Sequence, residues 1–307
     1  MTPDEHTIEE FYIDVGDGHQ VYVQDWGKKD AKKPIVFLHG GPGNGCKDSD
    51  KSKFDPSKQR VIFIDQRGSG KSLPYGSLTN NTTQELISDI NMILDRLDLK
   101  KIVLTGGSWG ACLALVYGIT HPERVAGMVI QGVFAGAYDE IDWLDKGRFR
   151  EFFPDSWDKY LMATPAKYRD DPSAYHFKRA LGDDLEAAKE SAFAYESLEL
   201  SLLKLDGRIN STKYEEYDLS TIRTEIHYLQ NKCFLPDNFV VDNAAKLTMP
   251  VWIVQGRYDM VCRPITAYSL AQKIPNCELI WTINGHLAEH EASNILHIAN
   301  RYLTEVL

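Results

Sequence analysis

The sequence predicts an α/β fold: a mostly parallel sheet covered by helices on both faces, with a helical insertion between about Val133 and Lys246. Three observations predict it. Short apolar runs alternate with segments of helical spacing at both ends of the chain. Gly106-Gly107-Ser108-Trp109-Gly110 lies between a β-branched apolar run, Lys101–Thr105, and a helical one beginning at Ala111. Strand-like runs are missing between about Val133 and Lys246, where Tyr, Phe, Asp and Glu are frequent instead.

Taken in order, Phe11–Val15 and Gln20–Trp26 alternate around Gly16-Asp17-Gly18 and predict a β-hairpin. Ile35–Leu38 and Val61–Ile64 are continuously apolar, as strands buried on both faces must be. Thr83–Leu97 spaces Leu86, Ile90, Ile93, Leu94 and Leu97 as a helix, with Thr82 or Thr83 available to cap it. The serine segment and its helix follow, then a strand over Arg124–Gln131. Pro250–Gln255 and Glu278–Trp281 predict two more strands, separated by a helix over Ala267–Ile274. An amphipathic helix over about Glu289–Val306 ends the chain. The expected organisation is therefore a core from residues 1–132 and 247–307, with 133–246 as a helical cap domain.

The chain has 307 residues, 43% of them hydrophobic, enough for a sizeable core. A formal net charge of −10 argues against nucleic acid or an anionic membrane surface as partner. No apolar run approaches membrane-spanning length, and Met1–His6 lacks the pattern of a signal peptide. Five scattered cysteines without Cys-x-x-Cys spacing read as reduced thiols, so a cytoplasmic protein is expected.

A strand, Gly-x-Ser-x-Gly and a helix make a tight turn that holds the serine exposed at its tip. A serine hydroxyl is a poor nucleophile at neutral pH, so it needs a base that is itself oriented by an acid. In this arrangement the acid and then the histidine follow the serine in the chain. Asp259 follows the strand ending at Gln255, and His286 follows the strand ending near Trp281. Both lie at carboxyl ends of strands, where open α/β sheets build their sites. Ser108, Asp259 and His286 are the expected catalytic residues. An oxyanion needs backbone N–H donors, expected from Trp109 and from Gly41 in His39-Gly40-Gly41-Pro42-Gly43.

Three other motifs are rejected. Gly68-Ser69-Gly70-Lys71-Ser72 resembles the end of a phosphate-binding loop, but that loop needs glycine where Asp65 stands. His286-Leu287-Ala288-Glu289-His290 fits a zinc pattern, yet His286 already has a place beside the serine. Cys112, just beyond the serine turn, reads as a buried small hydrophobe. No metal and no cofactor are expected.

On these motifs, and on Asp65–Ser72, His121–Val125, Phe153–Trp157 and Gly256–Met260, the chain resembles the proline iminopeptidases of the α/β-hydrolase fold from about Phe11 onward. The resemblance implies release of an N-terminal proline from small peptides with a free N-terminus. It also implies that Glu196 and Glu225 bind the substrate's ammonium and that Phe134 lines the proline pocket. Glu199 lies one helical turn beyond Glu196. Gln131, Leu144, Ala192 and Arg263 depart from the family's pattern around that pocket, which extends the expected substrates to other small N-terminal residues. An esterase or amidase acting on other small acyl groups is the alternative, since this fold hosts many chemistries.

Overall fold

The computed structural model describes residues 4–205, 218–287 and 290–306. Its eight strands form one sheet in the order β1-β2-β4-β3-β5-β6-β7-β8. They are β1 (Thr7–Gly16), β2 (His19–Gly27), β3 (Ile35–Leu38), β4 (Arg60–Ile64), β5 (Ile102–Ser108), β6 (Val125–Val133), β7 (Val251–Gly256) and β8 (Cys277–Thr282). The β1–β2 hairpin and the β2–β4 pair are antiparallel, and every pairing from β4 to β8 is parallel. The expected hairpin is present, but β1 starts at Thr7, before the apolar alternation begins, because Glu9 and Glu10 still pair with β2 on an exposed edge.

The apolar runs of β3 and β4 have a simple cause. Val36, Leu38, Ile62 and Ile64 pack on one face of the sheet, and Ile35, Phe37, Val61 and Phe63 on the other. The first face is covered by α1 (Thr83–Arg96), α2 (Trp109–Thr120) and α9 (Pro264–Lys273). The second is covered by α10 (His290–Arg301) through Ala292, Leu296 and Ala299. Thr82 caps α1 by accepting from the Glu85 N–H. After Arg301 the backbone widens into a π-type turn over Tyr302–Val306, and Thr304 Oγ1 donates back to Asn300 O at 2.7 Å. Among the described residues, the chain between β6 and β7 contributes no strand to the sheet. It holds α3 (Tyr138–Asp145), α4 (Pro154–Met162), α5 (Pro172–Ala180), α6 (Leu185–Leu202), α7 (Leu219–Gln230) and α8 (Phe239–Asn243).

Candidate active site

Ser108 ends β5 and opens α2 with φ 57° and ψ −124°, a conformation that costs energy for any residue with a side chain. The glycines around it allow this. A Cβ on Gly106 or Gly110 would stand 2.6 or 2.1 Å from the Leu38 carbonyl oxygen, so both positions must be bare for β3 and the turn to approach. The turn presents the hydroxyl above the sheet, and the N–H groups of the first turn of α2 have no partner inside the helix.

The loop after β3 comes up against this turn. A Cβ on Gly40 would lie 3.3 Å from the Gly107 carbonyl oxygen and 3.6 Å from Ser108 Cβ. Gly41 has φ +106° and lines the same cavity as Ser108, and the Trp109 N–H belongs to the first turn of α2. Loop and turn are tied together through Gln66: its side-chain NH₂ donates to His39 O, while its carbonyl oxygen accepts from Trp109 Nε1 at 2.8 Å. Asp65 organises the neighbouring loop by accepting the N–H groups of Cys46 and Lys71 at 2.7 and 2.8 Å. The glycines around Lys71 therefore fold onto a carboxylate.

Asp259 and His286 meet as the strand ends predict. Asp259 Oδ2 lies 2.9 Å from His286 Nδ1. Oδ1 accepts the N–H groups of Val261 and Cys262 at 2.9 and 2.8 Å. Gln255 Nε2 donates to Oδ2 at 3.2 Å, while Gln255 Oε1 accepts from Val133 N. Burial favours the neutral imidazole, but the Asp259 carboxylate and its hydrogen bond outweigh this and raise the His286 pKa well above the ordinary value. Ser108 Oγ lies 3.9 Å from Cys262 Sγ, a thiol that burial pushes up to about 11 and so keeps protonated. Of the zinc-like pattern that starts at His286, Ala288 and Glu289 lie outside the described residues.

Beneath α3, α6 and α7, a cavity is lined by Gly41, Ser108, Phe134, Leu144, Glu199 and Glu225, among others. Gly43 lets α7 close over it: a Cβ there would stand 2.9 Å from the Thr221 carbonyl oxygen. Trp109 and Tyr228 of α7 also pack ring to ring at 4.7 Å. Carboxylate oxygens of Glu196, Glu199 and Glu225 lie within 4.8 Å of one another. Burial raises the pKa of all three, to about 8 for Glu196, and each is raised or held in check by its neighbours. Gln255, Cys262 and Tyr195 stand at the site without belonging to any motif, and Glu199 stands out in the sequence only as a neighbour of Glu196. Only their spacing from Asp259 and Glu196 could have drawn attention to them.

Residues 33–288 match the family described as alpha/beta hydrolase fold. A proline iminopeptidase of Arabidopsis thaliana is 38% identical over 304 residues, covering 96% of this chain and 80% of its own length. One from Xylella fastidiosa (strain Temecula1 / ATCC 700964) is 36% identical over 301 residues, covering 96% and 94%. The chain belongs to the proline iminopeptidase family. The fold of this family member is also similar to that of solved structures. VinJ superposes with a TM-score of 0.65 at 19% identity over 98% of this chain and 100% of its own. The proline iminopeptidase of Mycobacterium smegmatis gives 0.61 at 18% identity over 96% of both chains. As a family member the chain is a hydrolase, and among its described residues no helix is long and apolar enough to cross a membrane.

Proposed function

We propose that this protein is a serine aminopeptidase that releases N-terminal proline, and other small N-terminal residues, from short peptides. The observation that carries this reading is one cavity holding both a strained serine and buried carboxylates. A nucleophile alone would suit any acyl substrate. Carboxylates beside it suit a cationic amine one residue from the scissile bond.

In this mechanism His286 removes the proton from Ser108 Oγ as the oxygen attacks the substrate carbonyl. Asp259 keeps Nδ1 protonated, so that Nε2 is free to act as base, and stabilises the imidazolium that forms. The N–H groups of Gly41 and Trp109 receive the negative charge on the tetrahedral oxygen. His286 then protonates the leaving amine, and water hydrolyses the acyl-enzyme by the same route. Glu225 and Glu196 attract the ammonium, and Phe134 packs on the ring. Residues 133–246 act as a cap domain, and because its glutamates fix the ammonium, cleavage is limited to one residue from the N-terminus. Five unpaired cysteines support a cytoplasmic setting, with small peptides as partners.

A panel of aminoacyl naphthylamides carrying proline, hydroxyproline, alanine and N-acetylproline tests this reading. Turnover of the proline substrate, with the acetylated one at least 100-fold slower, is expected from the charge-assisted contact. Equal turnover of the two would overturn it in favour of an esterase or amidase.

A further inference from the structure

Glu199 projects from α6 into the cavity that Ser108 reaches, and it meets Glu225 from α7 there. Their carboxyl oxygens lie within 4.8 Å of one another, with Glu196 in the same cluster. Two carboxyl groups this close in a site shielded from water repel each other when both are ionised, so one of them holds a proton more readily. Among the described residues, none forms an ion pair with Glu196, Glu199 or Glu225.

A second observation points to a ligand. Tyr195, on the same helix, is 1% exposed and lines the same cavity. Its hydroxyl has no hydrogen-bond partner among the described residues. A buried hydroxyl without a partner is destabilising, so a group that completes its bonding gains by entering. Burial, together with the charges of Glu225 and Glu199, keeps this phenol protonated and therefore a donor.

We propose that Glu199 completes the amine subsite: in the free enzyme Glu199 and Glu225 hold one proton between them, and the substrate's secondary ammonium replaces it. Each carboxylate then accepts one of the two ammonium N–H bonds, and the Tyr195 hydroxyl donates to the pair. The displaced proton goes to solvent, so the subsite passes from a monoanion to a dianion holding a monocation. A prolyl N-terminus, with two N–H bonds on one nitrogen, satisfies two carboxylates without an unused donor. Other charges act on the pair without replacing this exchange. Glu196 and Asp145 strengthen its hold on the proton, and His286, when charged, weakens that of Glu199. Lys47 faces Glu196. Glu140, in the same cavity, is already engaged by Thr266 and by the N–H groups of Ala135 and Ala137.

This inference rests on the aminopeptidase reading. Its test is calorimetry of prolyl-naphthylamide binding to full-length protein carrying Ser108→Ala, in buffers of different ionisation enthalpy. Near pH 6.5, about one proton should be released per substrate bound. Adding Glu199→Gln should remove that release and weaken binding by roughly 10- to 100-fold, as expected for loss of a charge-assisted hydrogen bond. Tyr195→Phe, which deletes only the hydroxyl, should weaken binding several-fold while release persists. Unchanged affinity and proton release in the Glu199→Gln protein would overturn the inference but leave the aminopeptidase intact. Wild-type protein that does not turn over the prolyl substrate would overturn both.

Discussion

Replacing Asp259 by asparagine should disable catalysis through the tautomer of one histidine, and the structure dictates which way the new amide points. Oδ1 of Asp259 accepts two backbone N–H groups, from Val261 and Cys262. The asparagine oxygen must take that place, because an NH₂ group there would face two donors. Its NH₂ is then directed at His286 Nδ1, where Oδ2 stood at 2.9 Å, and at Gln255 Nε2, formerly at 3.2 Å. His286 Nδ1 can answer this donor only as an acceptor, so the ring proton moves to Nε2 and the base is lost. The charge is lost as well. An ion pair at about 4 Å and an effective dielectric of about 20 is worth roughly 4 kcal/mol, or about a thousandfold in rate. With the wrong tautomer added, kcat on prolyl-naphthylamide should fall by about 10⁴. Steady-state kinetics measure this, with circular dichroism to establish that the fold is intact. A loss below about 100-fold would refute the assignment of Asp259 as the orienting acid.

Gln255→Leu removes the donor to Asp259 Oδ2 and the acceptor for Val133 N, so kcat should fall about 10- to 100-fold with little change in KM, the loss of one or two buried hydrogen bonds. Glu196→Gln should raise Tm at pH 8. Burial and then Glu199 push the Glu196 carboxyl up to about 8 from 4.5. As pH rises through that window the unfolded chain ionises while the folded one resists, and stability falls. The glutamine lacks this penalty, so the difference in Tm from wild type should close toward pH 4.5, as thermal melts at a series of pH values would record. Dialysis against a chelator should leave peptidase activity unchanged, since the mechanism places no step on a metal; activity restored only by added zinc would contradict it.

Much of the site was legible because its chemistry constrains the backbone. Ser108 is visible because the turn needs bare positions at Gly106 and Gly110, where Leu38 comes close. Asp259 and His286 are visible because parallel strands bring their carboxyl ends to one edge of the sheet. The placement of β4 between β2 and β3 was not legible, since strand pairing is non-local and the apolar runs of β3 and β4 are interchangeable. Gln255 escaped notice as the last polar residue of an apolar strand. Cys262 carries no sequence signal beyond its nearness to Asp259. On α6, Glu196 and Glu199 share one face, and spacing cannot say which carboxylate enters the cavity. That depends on how α6 packs beneath α7, a tertiary contact that leaves no local signal. Tyr195 was hidden for the opposite reason: an aromatic on a buried helix face reads as core, and only its unpartnered hydroxyl sets it apart.

Ser108 should attack the carbonyl of a substrate that is held by its free N-terminal amine. A proline-derived diphenyl phosphonate with a free amine tests both halves at once, compared with its N-acetyl counterpart by mass spectrometry of the digested protein. The free-amine reagent should label Ser108 rapidly, and the acetylated one at least 100-fold more slowly. Labelling at another residue, or at equal rates with both reagents, would contradict this.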